Sequence, residues 1–328
     1  MKRLIALLML CITLLATTAC ASRPPQEAIF WYMDTAITVR LYGDESTAQT
    51  ALADCEHILE QTDRLLSVTR TDSPIARFNA SMDGKDVSMP AEVLSLIDHA
   101  LEISRITDGV FDITSASLSA LWQSCEQNGT LPTAEQLQAS LDLVGNEHLT
   151  FNETTLQKDE NGVSIDLGGI GKGYACDAVL AALSQTDGIT GAIISMGSNV
   201  AVVGDKPDGS PWRIALRDPN NASAAVGYLH LTEGQILSVS GDYERYFTVD
   251  GQHYNHILDP KTGYPPQNGL RSVAVLCSDG ATADALSTAM MVMGEDAARA
   301  LYESGAIEFE AVFVYDDHVA TTDEIELH

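Results

Sequence analysis

Four glycines in six positions, Gly168, Gly169, Gly171 and Gly173, surround Lys172 and are bracketed by Asp166 and Asp177. Backbone this bare lets a bulky ligand approach the main-chain N–H groups closely. A helix start at the same place offers unpaired donors and a positive dipole end, and Lys172 adds a mobile charge, so a phosphate-bearing ligand is the natural occupant. Two familiar phosphate loops are excluded. A dinucleotide fingerprint fits Gly169 and Gly171 but meets Tyr174 at its last glycine, and a P-loop needs glycine where Asp166 stands and Ser or Thr where Gly173 stands. On spacing alone, a glycine turn that only packs a helix on a strand explains the run equally well.

Asp284 and Thr288 stand four apart in a helical pattern, so both oxygens project from one face. A carboxylate beside a hydroxyl suits a hard cation such as Mg²⁺, which keeps waters and leans on ligand phosphates. Alone, the same pair is an ordinary hydrated surface. His256, within residues 255–265, has the chemistry of a base near neutral pH, and Asp259-Pro260 with Thr262-Gly263 supplies turns that fix it. An exposed turn with an incidental histidine fits those residues too. His253 precedes His256 by three with no H-E-x-x-H pattern, and Ser198 and Ser240 lie outside any G-x-S-x-G, so zinc-hydrolase and α/β-hydrolase readings have little support.

These groups need elements to hold them. Residues 163–165 are a short strand-like run and residues 174–183 repeat apolar side chains at helical spacing, which puts the glycines in a strand-to-helix turn. Residues 28–42 alternate like a strand, interrupted at Met33-Asp34-Thr35. Residues 46–66 and 90–106 read as helices, and 133–143 as a short polar one. Strands are expected at 192–196, 212–216, 228–231, 236–240, 246–249, 270–276 and 309–315, with 236–240 and 246–249 flanking a turn at Gly241-Asp242. Helices are expected at 282–293 and 295–303, on either side of Gly294. Helices and strands mix without strict βαβ alternation. The expected class is α+β, with mixed, largely antiparallel sheets flanked by helices, in one domain over residues 28–328.

With 328 residues and 45% hydrophobic content, the chain can bury a substantial core. Its formal charge of −28 becomes −30 once residues 1–19, with Lys2 and Arg3, are removed. Such a surface keeps the chain soluble and repels nucleic acid and anionic lipid, so no nucleic-acid partner is expected. An anionic ligand then needs local cations. Residues 1–19 read as an export signal, with an apolar run from Leu4 to Leu15, and Cys20 follows Ala19 as in a bacterial lipobox, although Thr17 stands where Leu is more usual. Lipidated Cys20, a short tether over residues 20–27 and an extracytoplasmic, membrane-anchored location follow as expectations. Cys11 leaves with the signal. Cys55, Cys125, Cys176 and Cys277 form no C-x-x-C pair and read as buried small hydrophobes.

Taken together, the ordered segments resemble one family, the FAD:protein FMN transferases of the ApbE type. They are Met33-Asp34-Thr35; Leu66-Ser67 with Ser73 and Phe78-Asn79; residues 109–114; 166–177; 195–197; 240–247; 256–265; and 283–288, spanning about Phe30 to Gly294. The resemblance implies an enzyme that cleaves the FAD diphosphate with Mg²⁺, attaches FMN through its phosphate to a Thr or Ser hydroxyl of an acceptor flavoprotein, and releases AMP. It implies metal ligands at Asp284, Thr288 and the Gly169 carbonyl, with Ser287 a further contact. It implies FAD contacts at Asp166, Lys172, Met33, Val110, Phe111, Asp112 and Ile257, and a base at His256. Thr69 departs from the pattern where an aromatic is expected, as does Ser198 where a second glycine is usual. Asp279-Gly280-Ala281-Thr282 looks like the D-G-x-T motif of such acceptors, which include redox-pump subunits, and is read here as the chain's own helix start. Rival functions are a Mg²⁺-dependent FAD pyrophosphatase and a flavin-binding lipoprotein without turnover.

Overall fold

The run at 28–42 is two strands in the computed structural model. β1 (Gln26–Tyr32) and β2 (Thr35–Gly43) fold back on each other through Met33 and Asp34. Both turn residues have positive φ, 53° and 56°. That backbone matches the twist of a hairpin and is usually filled by asparagine and glycine. The structure describes residues 24–323 and 325–328. The expected signal, Cys20 and the first half of the tether lie outside them, and the tether's last two residues belong to β1.

Seven helices among the described residues, α1 (Glu45–Leu66), α2 (Pro74–Asn79), α3 (Ala91–Ile106), α4 (Ala116–Asn128), α5 (Ala134–Leu141), α6 (Gly168–Ser184) and α7 (Gly280–Ser304), accompany the sheets. The main sheet has the order β1-β2-β6-β7-β10-β13-β14-β15. Its later strands are β6 (Ile189–Met196), β7 (Asn199–Gly204), β10 (Ile236–Gly241), β13 (Ser272–Cys277), β14 (Glu310–Val314) and β15 (Val319–Thr321). Every strand pairing among the described residues is antiparallel, so the fold is α+β as expected, without a parallel pair.

Alternation along each strand sorts side chains onto two faces. Phe30, Ile37, Val39, Leu41 and Ile194 face α1 and α6, and Val273, Val275, Ala311 and Phe313 share a core with α3 and α7. The opposite face, with Val202, Leu237, Ala274, Leu276 and Val312, is covered by the hairpin β8 (Trp212–Asp218) and β9 (Asn221–Leu231) through Trp212, Leu216 and Leu229. β13 is covered from both sides, and each of its residues is buried. A second small sheet joins β3 (Val87–Ser88), β5 (Thr155–Lys158) and β4 (Leu149–Phe151).

Residues 246–249 were expected beside 236–240. Instead β11 (Tyr246–Val249) pairs with β12 (Gln252–Asn255) in a separate hairpin, while β10 stays in the main sheet between β7 and β13. α7 joins both helices expected around Gly294, which keeps a non-helical backbone at φ 80° and ψ 170°. The four cysteines at 55, 125, 176 and 277 are buried and free, as their spacing implies.

Candidate active site

The glycine run does not form the expected turn. α6 begins at Gly168 and takes all four glycines into its first two turns, and none of the four has positive φ. They are used for space. A Cβ at Gly169 would meet the Phe111 ring at 3.2 Å, and one at Gly171 would meet Leu66 at 3.1 Å and Met33 at 3.3 Å. At Gly173 it would collide with the Gly280 carbonyl, and at Gly280 it would lie 2.6 Å from the Gly173 oxygen. α6 and α7 therefore cross backbone to backbone.

Residues 163–167, leading into α6, form no strand either. They are irregular and held by side chains. Asn79 donates from Nδ2 to the Ile165 carbonyl at 2.9 Å and accepts the Ile165 N–H at 2.8 Å, imitating a strand partner. Lys158, fully buried, donates to the Val163 and Asn79 carbonyls. Asp166 donates its N–H to the Ile113 carbonyl and accepts the Gly168 N–H on Oδ1 at 2.8 Å, so one of the helix-start donors is already taken.

The crossing brings Asp284 of α7 into α6. Asp284 is 2% exposed, and buried carboxylates need partners. Its Oδ2 accepts the Gly173 N–H at 3.1 Å, its Oδ1 accepts Asn199 Nδ2 at 3.2 Å and Ser238 Oγ at 3.3 Å, and Lys172 Nζ lies 3.4 Å from both oxygens. The Gly173 N–H, inside the second turn of α6, is thus also directed at the Asp284 carboxylate. Lys172 also donates to the Gly168 carbonyl at 3.1 Å. One turn along α7, Ser287 and Thr288 join Ser240 in a chain of hydroxyls, with Ser240 Oγ 2.8 Å from Ser287 Oγ and 3.3 Å from Thr288 Oγ1. Thr288 Oγ1 faces the Gly169 position.

His256 follows β12 on a loop built from the expected turns. Asp259 accepts the Gly263 N–H on its carbonyl at 2.7 Å and the Thr262 hydroxyl on Oδ2, and Trp122 of α4 donates Nε1–H to the Gly263 carbonyl at 2.7 Å. His256 Nδ1 lies 3.2 Å from the Arg245 carbonyl. A carbonyl only accepts, so Nδ1 carries the proton and Nε2 keeps its lone pair. The ring has an edge open to solvent, but enclosure of the rest pushes its pKa below the usual 6.5, and the positive charges of Arg245 and Lys172 add to that against the carbonyl bond.

Of the remaining predicted residues, Phe111 borders the Gly169 position and Met33 the Gly171 position. Phe111 and Ile257 are buried in the core cluster that contains Leu167 and Ile170, and Met33 and Val110 pack against it. The Met33 N–H is fixed by Asp63 Oδ1 at 3.0 Å. Asp112 turns its carboxylate into its own loop, where Oδ1 accepts the Thr114 N–H at 2.7 Å and the Thr114 hydroxyl at 2.6 Å. Burial raises its pKa against those bonds. Asp279 caps α7 by accepting the Thr282 N–H at 2.7 Å, and Thr282 is 5% exposed, so residues 279–282 are a helix start.

Sequence reasoning missed Asn199, Ser238, Asp177 and His99. Asp177 of α6 accepts the Gly280 and Ala281 N–H groups at 2.8 and 3.0 Å, and burial pushes its pKa up to about 6. His99 Nε2 lies 2.9 Å from Thr282 Oγ1 and 3.4 Å from Asp279 Oδ1, which holds Asp279 down to about 2 and raises His99. A signal existed for the serines alone: Ile236, Ser238 and Ser240 share one strand face by alternation, so polar groups recur in a helix-covered layer.

The donor set of the crossing fits Mg²⁺. Asp284, Ser287, Thr288 and Ser240 present only oxygens, and the buried Asn199 Oδ1 has no hydrogen-bond partner. Among the described residues no group of three His, Cys, Asp or Glu side chains stands ready for a metal. A cation here relies on one carboxylate, hydroxyls, carbonyls, water and ligand phosphate, which is the habit of Mg²⁺ rather than of zinc.

Comparison with known proteins gives the family of the chain. The ApbE family model matches residues 33–313. A Vibrio cholerae protein named FAD:protein FMN transferase is 34% identical over 277 residues, covering 84% of this chain and 82% of that protein. The crystal structure of the ApbE protein of Thermotoga maritima superposes with a TM-score of 0.83 at 31% identity, covering 91% of this chain and 97% of that one. The flavinyl transferase ApbE of Pseudomonas stutzeri, in its apo form, gives 0.79 at 33% identity over 92% and 95% of the two chains. The glycine-faced helix crossing, the buried aspartate at its centre and the histidine loop beside it therefore sit in a chain that belongs to the ApbE family.

Proposed function

We propose that this chain is an FAD:protein FMN transferase that joins the FMN half of FAD to a Thr or Ser hydroxyl of an acceptor flavoprotein and releases AMP. The observation that carries the reading is the meeting of Asp284, Thr288, Ser287 and Gly169 with Lys172 at one helix crossing, close to a histidine with a free ring nitrogen. The names of its relatives support the same activity.

In this reading Asp284, Thr288, Ser287 and the Gly169 carbonyl hold Mg²⁺, which when bound neutralises charge on the diphosphate oxygens. Lys172 Nζ, on its flexible stem, holds a phosphate oxygen. Met33, Val110, Phe111 and Ile257 give the flavin and adenosine apolar contact, Asp166 a polar one, and Asp112 shapes the loop that carries Phe111. The acceptor hydroxyl oxygen forms a bond to the FMN phosphorus while the bond from that phosphorus to the bridging oxygen breaks. The hydroxyl proton passes to His256 Nε2, and AMP leaves with the bridging oxygen.

The same reading makes residues 1–19 an export signal and Cys20 a lipidated N-terminus, which places the enzyme outside the cytoplasm at a bacterial membrane and its acceptors among exported flavoproteins. Its acceptors carry a D-G-x-T-like motif, redox-pump subunits among them. Incubation with FAD, Mg²⁺ and such a domain tests the activity. Flavin fluorescence that stays with the denatured acceptor on a gel, with one AMP per flavin, is the expected result. Free FMN formed at one rate with or without acceptor means hydrolysis, and stoichiometric FAD retention without AMP means a binding protein.

A further inference from the structure

Among the described residues, none covers the outer face of the first strand of the main sheet at Ile29 and Trp31. On β1, Phe30 points to α1, whereas Ile29 and Trp31 point the other way and are 59% and 74% exposed. Trp31 is the most exposed of the large apolar side chains described. Their cross-strand partners on β2 are Thr38 and Ala36, small and neutral. Glu27 and Arg40, the next pair, neutralise each other at 2.6 Å. The β8–β9 hairpin covers this side of the sheet over Val202, Leu237 and Ala274 and reaches β2 at Tyr42, whose ring lies 6.0 Å from that of Trp212, which leaves Ala36 and Thr38, with β1 beside them, beyond its edge. The result is an apolar, uncharged patch on a chain of net charge −28.

Such a patch needs an occupant, and its position in the chain selects one. β1 starts six residues after Cys20. Fully extended, that stretch reaches about 20 Å, and Pro24-Pro25 makes it stiff as well as short. A lipid on Cys20 therefore keeps β1 close to the headgroups. Tryptophan is the side chain best suited to that zone, with an apolar body and a polar N–H. The one cation beside the patch, Arg40, is paired with Glu27, so the contact is apolar and the lipid zwitterionic.

We propose that the outer face of the β1–β2 hairpin, centred on Ile29 and Trp31, docks on the phospholipid surface to which Cys20 tethers the chain. This rests on the anchored reading given above. Docking also orients the enzyme. The turn of that hairpin carries Met33, which packs toward Gly171 at the start of α6, so the site is held at a set height and tilt above the bilayer.

The lipidated full chain, reconstituted in phosphatidylcholine vesicles with and without brominated acyl chains, tests this through tryptophan emission. Trp122 and Trp212 are 4% and 3% exposed and donate their N–H groups internally, so contact quenching reports Trp31. The expected result is loss of the Trp31 share of the emission in brominated vesicles and no loss in Trp31→Phe. Protein that floats with the vesicles while Trp31 stays unquenched overturns docking and leaves the anchor standing. Protein that does not float overturns both. Trp31 shielded equally in detergent, and more so at higher protein concentration, marks contact with a second copy and also overturns docking.

Discussion

Asp177→Asn probes the clamp that joins the two site helices. Asp177 accepts two N–H groups from the first turn of α7, yet burial outweighs those bonds and raises its pKa from 3.8 to about 6, with Asp279 adding repulsion and His99 offsetting part of it. A carboxyl whose folded pKa exceeds its unfolded one binds its proton more tightly in the folded chain. Its contribution to stability is fully present below 3.8 and is lost as pH rises through about 6. At about 1.4 kcal/mol per pH unit, the loss across that window is roughly 3 kcal/mol. Asparagine does not titrate, and it keeps one of the two acceptor bonds, at a penalty of about 1 kcal/mol for the other. The variant should therefore match the wild type within about 1 kcal/mol near pH 4 and exceed it by roughly 2–3 kcal/mol near pH 7.5. Urea denaturation of both proteins across that range reads the difference directly. A gap that does not change with pH, or a wild type more stable at the upper end, refutes the account of Asp177 as a carboxylate charged against its surroundings.

Asp284→Ala should lower AMP release by at least about a thousandfold, since the site loses its carboxylate; it should also abolish any rise in melting temperature on adding Mg²⁺ with FAD, and a near-normal rise counts against the metal assignment. His256→Ala should retain FAD but lose transfer. In the wild type the rate should fall on acidification with a midpoint below 6.5, because only neutral His256 accepts a proton and its pKa is depressed; transfer by the variant with the same acid limb places the base elsewhere. Gly173→Ala drives a methyl into the Gly280 carbonyl and should destabilise by about 1–3 kcal/mol in denaturant titration; unchanged stability means that the helices separate easily.

Residues were legible where local pattern and tertiary packing agree. The 45–66 helix shows its apolar stripe, and β6 and β13 show themselves as apolar runs because neighbours cover them. α4 was invisible: only Leu118, Trp122 and Cys125 are buried, too few for periodicity, although Trp122 secures the His256 loop. The β1–β2 turn was seen only as an interruption, because Met33 and Asp34 stand where hairpin chemistry asks for Asn-Gly. The start of α6 was misplaced for a related reason. Glycine is a poor helix former, so its run reads as a turn, and only the close crossing with α7 makes helix the better answer. In the site, helical spacing placed Asp284 and Thr288 on one face, but spacing alone reads such a pair as hydrated surface, and only the resemblance to the family singled it out; the burial of Asp284 comes from the α6 crossing. Asn199 was not legible, since an asparagine after Gly197 and Ser198 reads as turn chemistry, and its partner Asp284 lies 85 residues away.

In the proposed reading, the glycine crossing also answers how so acidic a chain would hold an anionic ligand. Net charge acts over long range and repels diphosphate, so attraction has to come from charges held within a few ångströms and shielded from bulk water. Because Gly173 and Gly280 let the backbones touch, Lys172 and Asp284 are brought within 3.4 Å with Asp284 almost wholly buried. There the lysine serves as the carboxylate's own counter-ion, which answers the penalty of an unpaired buried charge. A cation taken up by Asp284 can assume that task and free the ammonium, whose four-carbon stem lets it swing toward a phosphate without any movement of either helix. A bulkier residue at either glycine would part the helices and weaken the pair at once. In the proposed reading the glycines serve the chemistry through distance, and Lys172, paired with Asp284 at the crossing, is what turns that closeness into affinity for an anion.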